Sequence, residues 1–179
     1  MFLIRLVFFF AFFYLLWYYL SPFYNDILSG VSEEIIQLSE IGELKITESI
    51  IGMEKQIWVY HIPKDSPPIK YQARFVHFDM VLLFALIWAV PNINFKKRLN
   101  VFLLGIFIIF GVHVIKIFVY VKHEYAQHIE LDEVRYFSPF QRAVYRNLKE
   151  FFLRVGNQLM PILIWSLLYV KHWWTRQVR

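Results

Sequence analysis

Four stretches of the chain are apolar over lengths that suit membrane crossing, and polar residues separate them. The clearest is 99–121, LNVFLLGIFIIFGVHVIKIFVYV, preceded by Lys96, Lys97 and Arg98. At ~1.5 Å rise per residue it reaches ~34 Å as a helix, enough for a ~30 Å hydrocarbon core. Residues 2–20 predict a first span. Arg5 lies near its start, and Trp17, Tyr18 and Tyr19 form an aromatic belt at its far end. The following SPFYND offers no small-x-small cleavage site, so this span is expected to be an uncleaved signal anchor. Residues 75–93 predict a short second span with His77 and Asp79 in its first turns. Residues 151–170 predict the fourth, kinked at Pro161.

The segments between the spans have patterns of their own. Ser21-Pro22 is expected to end the first span. Beyond it, Phe23, Ile27, Leu28, Val31, Ile35 and Leu38 fall at helical spacing, with Glu33 and Glu34 on the other side. This predicts an amphipathic helix over 23–38, lying on the outer surface. Residues 43–51 and 56–62 are rich in β-branched and aromatic residues, with a turn candidate at 52–55, and predict a β-hairpin. Pro63, Pro67 and Pro68 mark an extended linker back to the membrane. In the polar segment 122–150, Ser138 is a candidate cap with Pro139 at the first helical position. The tail, 171–179, is basic and aromatic and reads as an interface anchor. The whole predicts an all-α membrane protein of four transmembrane helices. A small extracytoplasmic helix plus β-hairpin insertion occupies 21–74.

Charge orients this arrangement. Arg5, Lys96, Lys97, Arg98, Lys171, Arg176 and Arg179 fall on one side, with no acidic residue among them. Segments 21–76 and 122–150 carry almost all of the acids. The positive-inside rule then puts both termini in the cytoplasm. At 58% hydrophobic and a mean hydropathy of +0.44, the composition fits a multi-pass protein with lipid as its surroundings. The absence of cysteine excludes disulfides, thiolate metal sites and a cysteine nucleophile. No Gly-rich phosphate loop and no GxSxG elbow occur, and no metal, cofactor or nucleic-acid partner is expected. His123-Glu124-Tyr125-Ala126-Gln127-His128 approaches the zinc motif HExxH, but its second histidine comes five residues on instead of four. The two imidazoles therefore leave their common helical face, and the stretch is expected to be a solvated loop.

Topology also sets depth. Asp79 lies ~6 Å below the outer boundary, and His113 and Lys116 lie ~21 and ~26 Å from the inner start of their span. The fourth span brings Arg154, Asn157 and Gln158 to similar depth. His77, Asp79, His113, Lys116, Arg154, Asn157 and Gln158 thus make an outer-leaflet polar cluster. Three readings follow: side chains snorkelling separately, structural glue with Asp79 paired to Lys116 or Arg154, or a substrate site. In the hairpin, Ile57, Trp58 and Val59 are more apolar than two strands can bury, which marks a candidate partner surface at the exposed edge or the apolar face.

Three passages carry a family resemblance: Ser21-Pro22-Phe23-Tyr24 after the first span, Gly111-Val112-His113-Val114-Ile115-Lys116 in the third, and Gly156 to Trp165 in the last. The layout is similar to the small multi-pass membrane proteins that accompany exosortases, bacterial enzymes that process C-terminal sorting tails. The exosortase itself resembles a cysteine, arginine and histidine enzyme with more spans. The resemblance therefore implies an accessory subunit partnering a larger integral-membrane protein in protein sorting. The alternative is a lipid- or substrate-binding protein, or an enzyme, using the outer-leaflet cluster.

Overall fold

The computed structural model describes residues 1–38, 43–51, 54–62, 69–72, 76–127 and 137–177. Its longest element is α1, Phe2–Gln37, one unbroken helix with Pro22 inside it. The expected break at Ser21-Pro22 is absent. Proline removes one backbone bond, and a helix packed along its length tolerates that loss. The outer amphipathic helix is therefore a continuation of the first span. Of the apolar residues expected on one side, Leu28 is buried and others are not. Phe23 is 68% and Leu38 89% exposed, while Asn25, Ser29 and Ser32 are buried.

A three-stranded antiparallel sheet follows, ordered β1 (Glu43–Ile51), β2 (Glu54–Ile62) and β3 (Ile69–Gln72). β1 pairs along the whole of β2, from Glu43 opposite Ile62 to Ile51 opposite Glu54, and it lies against α1. Glu54 and Lys55, expected in the turn, belong to β2; Gly52, Met53 and the linker prolines lie outside the described residues. β3 pairs with Gln56–Val59. The edge of β2 that was expected to be open is thus occupied over that stretch.

Among the described residues, three helices are long and apolar enough to cross a membrane, not four. They are α1, α3 (Phe95–Gln127), and the run formed by α4 (Pro139–Phe151), a π-helical turn (Phe152–Gly156) and α5 (Asn157–Gln177). The second expected span is the 11-residue helix α2, Asp79–Ala89. At ~1.5 Å per residue it covers ~16 Å, about half of a hydrocarbon core. It stops because Val90 turns to extended geometry before Pro91, and Asn92 has φ 59°. Such a short helix is tolerated because it is enclosed. Leu83, Ala85, Ile87 and Ala89 have no exposure, and two carbonyls at its C-terminal end meet protein donors. Tyr169 Oη donates to Ile87 O at 3.2 Å, and Arg98 Nη2 donates to Val90 O at 2.7 Å.

Contacts fix the bundle as up–down–up–down. Trp17 meets His77 and Phe9 meets Trp88, so α1 and α2 run in opposite directions. Lys116 meets Asn157 and Tyr169 meets Ile87, so α5 is antiparallel to α3 and runs beside α2 in the same direction. A Cβ on Gly105 would come within 3.1 Å of Ile87 Cδ1, so this glycine sets how closely α3 approaches α2. The core is two stacked clusters. One, toward the Lys96–Arg98 end, is built on Phe13, Trp17, Leu83, Phe84, Ile87 and Ile109. The other is built on Leu28, Ile36, Val114, Ile117, Tyr120 and Phe137. Tyr24 and Val112 pack against both.

The segment expected as polar loop from 122 is helical to Gln127, with His123 and Glu124 on α3; His128 to Tyr136 lie outside the described residues. Glu124 pairs with Lys149 of α4 at 2.6 Å. The start of α4 is a capping box. Ser138 Oγ accepts from Gln141 N at 3.2 Å, and Gln141 Oε1 accepts from Ser138 N at 2.9 Å, with Pro139 next in the chain.

Candidate functional site

Where the two core clusters meet, polar side chains from four helices converge. Asp79 sits in the first turn of α2, at the end of the helix where the dipole favours a negative charge. His113 and Lys116 are three apart on α3, which places them on one face about a turn from each other. His113 Nε2–H donates to Asp79 Oδ1 at 2.7 Å, and Lys116 Nζ donates to Asp79 Oδ2 at 2.5 Å. Lys116 Nζ also donates to Val76 O at 3.0 Å and to Asn157 Oδ1 at 2.8 Å. With Nε2 carrying the imidazole proton, Nδ1 accepts from the Tyr24 hydroxyl at 2.5 Å. Beside this chain, Trp17 Nε1–H donates to His77 Nδ1 at 3.1 Å, which places the His77 proton on Nε2.

The cluster is closed. The side chains of Asp79, His113 and Lys116 have 0% exposure. Lys116 carries three protons, and its three partners are protein oxygens. Both oxygens of Asp79 and both nitrogens of His113 are engaged. One negative and one positive charge cancel at contact distance, the condition under which an ion pair survives in a medium of low dielectric.

Asn157 owes its place to the π turn. Gly156 has no room for a side chain, since a Cβ there would come within 2.9 Å of Phe152 Cδ1. Pro161 lies four residues after Asn157 and cannot donate to its carbonyl. The wide turn and the proline together loosen the ladder on both sides of Asn157, as is common where a helix re-aims a side chain.

The structure brings together Asp79, His113, Lys116 and Asn157 of the seven expected residues. His77 is adjacent, joined through Trp17 and packed on Tyr24 with ring centres 5.7 Å apart. Arg154 and Gln158 are elsewhere. Arg154 is exposed and pairs with Glu150 one turn back at 2.7 Å, and Gln158 is exposed. The helix turns ~100° per residue, so groups at the same depth need not share a face. Tyr24, Trp17 and the Val76 carbonyl were not foreseen. Trp17 and Tyr24 are seven apart, two turns on one face, a signal hidden by the break expected at Pro22. Ile57, Trp58 and Val59 lie in the central strand, opposite Glu48, Thr47 and Ile46 on one side and Tyr71, Lys70 and Ile69 on the other. No protein-family model, curated protein or solved structure matches the chain.

Proposed function

We propose that the chain is a non-enzymatic accessory subunit of a complex in the bacterial cytoplasmic membrane. Its partner is a larger integral-membrane enzyme of the exosortase type. The observation that supports a structural role for the polar cluster is its saturation. Each proton of Lys116 has a protein acceptor, so Lys116 has no donor left for a substrate, and Asp79 is bonded at both oxygens in a site with no side-chain exposure. The cluster then acts as a lock that fastens α2 to α1, α3 and α5. The partner class rests on the resemblance of the Ser21–Tyr24, Gly111–Lys116 and Gly156–Trp165 passages. In this reading α2 counts as a fourth, short span completed by its flanks, and both termini face the cytoplasm. Reporter fusions after Asn94 and Arg179 should report cytoplasm, and those after Lys64 and Glu133 the exterior. Purification of the tagged chain from native membranes, followed by mass spectrometry, should return one larger multi-pass enzyme in stoichiometric amount. Recovery of the chain alone would overturn the proposal.

A second reading is favoured by one feature. Tyr24, His113 and Asp79 form a hydroxyl–imidazole–carboxylate line, the order in which a base is oriented by a carboxylate and faces a hydroxyl. Tyr24 is the half-buried end of that line. An enzyme or lipid-binding protein would use this end, and Tyr24→Phe would abolish its activity with the fold intact. An accessory subunit tolerates that change.

A further inference from the structure

Beyond the Pro22 position α1 buries polar residues beside apolar ones. Its buried residues there are Asn25, Leu28, Ser29, Ser32 and Ile36, continuing from Ser21. Ser21, Asn25, Ser29 and Ser32 are spaced by four, four and three, which aligns them in one stripe ~16 Å long. Asn25 and Ser32 have no exposure and Ser29 has 4%. The amide nitrogen and oxygen of Asn25 and the hydroxyls of Ser29 and Ser32 reach no hydrogen-bond partner among the described residues. Folded proteins rarely bury a polar atom this way, and the usual partner of such atoms is ordered water bonded by two to four polar groups. An amide and hydroxyls offer donors and acceptors and no charge, the chemistry that suits water and not an ion. Tyr24, the residue before Asn25 in the same helix, has its hydroxyl bonded to His113.

We propose that this seam is a hydrated file through which protons pass between water and His113 by way of Tyr24. In the transfer, a water at the end of the file gives a proton to Tyr24 Oη while Tyr24 gives its own to His113 Nδ1. One O–H bond breaks on the water and one on Tyr24. One forms on Tyr24, and an N–H bond forms on His113. The water ends as hydroxide, or as water where it began as hydronium. The imidazolium keeps its Nε2–H bond to Asp79 and faces Lys116 on its own helix and Tyr24 on α1. Asn157 of α5 reaches it through Lys116. The reverse transfer restores the neutral ring. This inference does not depend on the accessory-subunit reading, because a proton path to His113 is compatible with either role of the cluster.

The chain has no cysteine, which makes the seam testable. Asn25→Cys, Ser29→Cys and Ser32→Cys are small changes, and Leu28→Cys, equally buried on the same helix, is the apolar control. Each full-length variant in detergent is treated with a small cationic methanethiosulfonate. A thiol in dry apolar surroundings has a raised pKa, and each unit costs tenfold in thiolate, so the three seam positions should react about tenfold faster than Leu28→Cys or more. The second measurement follows exchange between the neutral and the Nδ1-protonated His113 ring by ¹⁵N relaxation-dispersion NMR with ¹⁵N-labelled histidine, His113→Gln supplying the assignment. Asn25→Leu combined with Ser29→Val should slow that exchange about tenfold if the file is its path. Labelling no faster than at Leu28→Cys, or His113 exchange unchanged in the plugged variant, overturns the proposal.

Discussion

Two buried polar regions adjoin on the inner face of α1, at Tyr24 and from Asn25 onward, and their bonding is opposite. At the first, Asp79 is bonded to His113 and Lys116, His113 also to Tyr24, and Lys116 also to the Val76 carbonyl and Asn157. At the second, four polar atoms of Asn25, Ser29 and Ser32 have no partner among the described residues. Both are buried to similar degree. Burial alone therefore does not assign a role to a polar group; saturation does. A charged cluster without spare valence resists hydration and holds helices together. An uncharged stripe with spare valence admits water.

The largest effect should come from unbalancing the charged region. Asp79→Asn or Lys116→Met leaves a buried charge without its counterion and should cost about 3–5 kcal/mol in denaturant unfolding of the solubilised protein. Asn157→Leu removes one of the three acceptors of Lys116 and should cost about 1–3 kcal/mol in the same assay. Gly156→Ala forces a methyl against Phe152 and should also cost about 1–3 kcal/mol, with no effect on the ion pair itself. Ser138→Ala breaks the capping box and should cost about 1 kcal/mol. Arg154→Ala should change stability by no more than ~0.5 kcal/mol, because its pair with Glu150 is solvent-exposed. A cost for Arg154→Ala as large as that for Lys116→Met would erase the contrast between a saturated interior pair and a surface one.

Much of this contrast was legible in the chain. Asp79, His113 and Lys116 stand out because each interrupts an apolar run, and the charge pattern brings them to one depth. Depth is a one-dimensional quantity, however, and Arg154 and Gln158 shared it without sharing the facing side of α5. Pro22 misled in another way. Its local cost predicts an end to the helix, but packing of α1 along α2, α3 and β1 outweighs a single missing bond, and with that break Tyr24 and Trp17 disappeared from the candidate site. The polar stripe was hidden by the same reasoning. Phe23, Ile27, Leu28 and Leu38 were placed together on the apolar side of a surface helix, whereas Phe23, Ile27 and Leu38 are exposed and Leu28 is buried beside the polar stripe. The length of α2 was also beyond the pattern, since an enclosed helix need not match the thickness of a bilayer. The third strand had no signal, being four residues that follow two prolines.

The central claim is that the Asp79–Lys116 ion pair holds the bundle together and binds no substrate. The most direct measurement is a double-mutant cycle of Asp79→Asn and Lys116→Met, read by unfolding free energy and by recovery of the co-purified complex. Each single change should lower both readouts, and the double change, which leaves no unmatched charge, should regain a substantial part of each. A double variant that is stable and assembled but whose complex has lost its activity would contradict the claim and make the cluster a site.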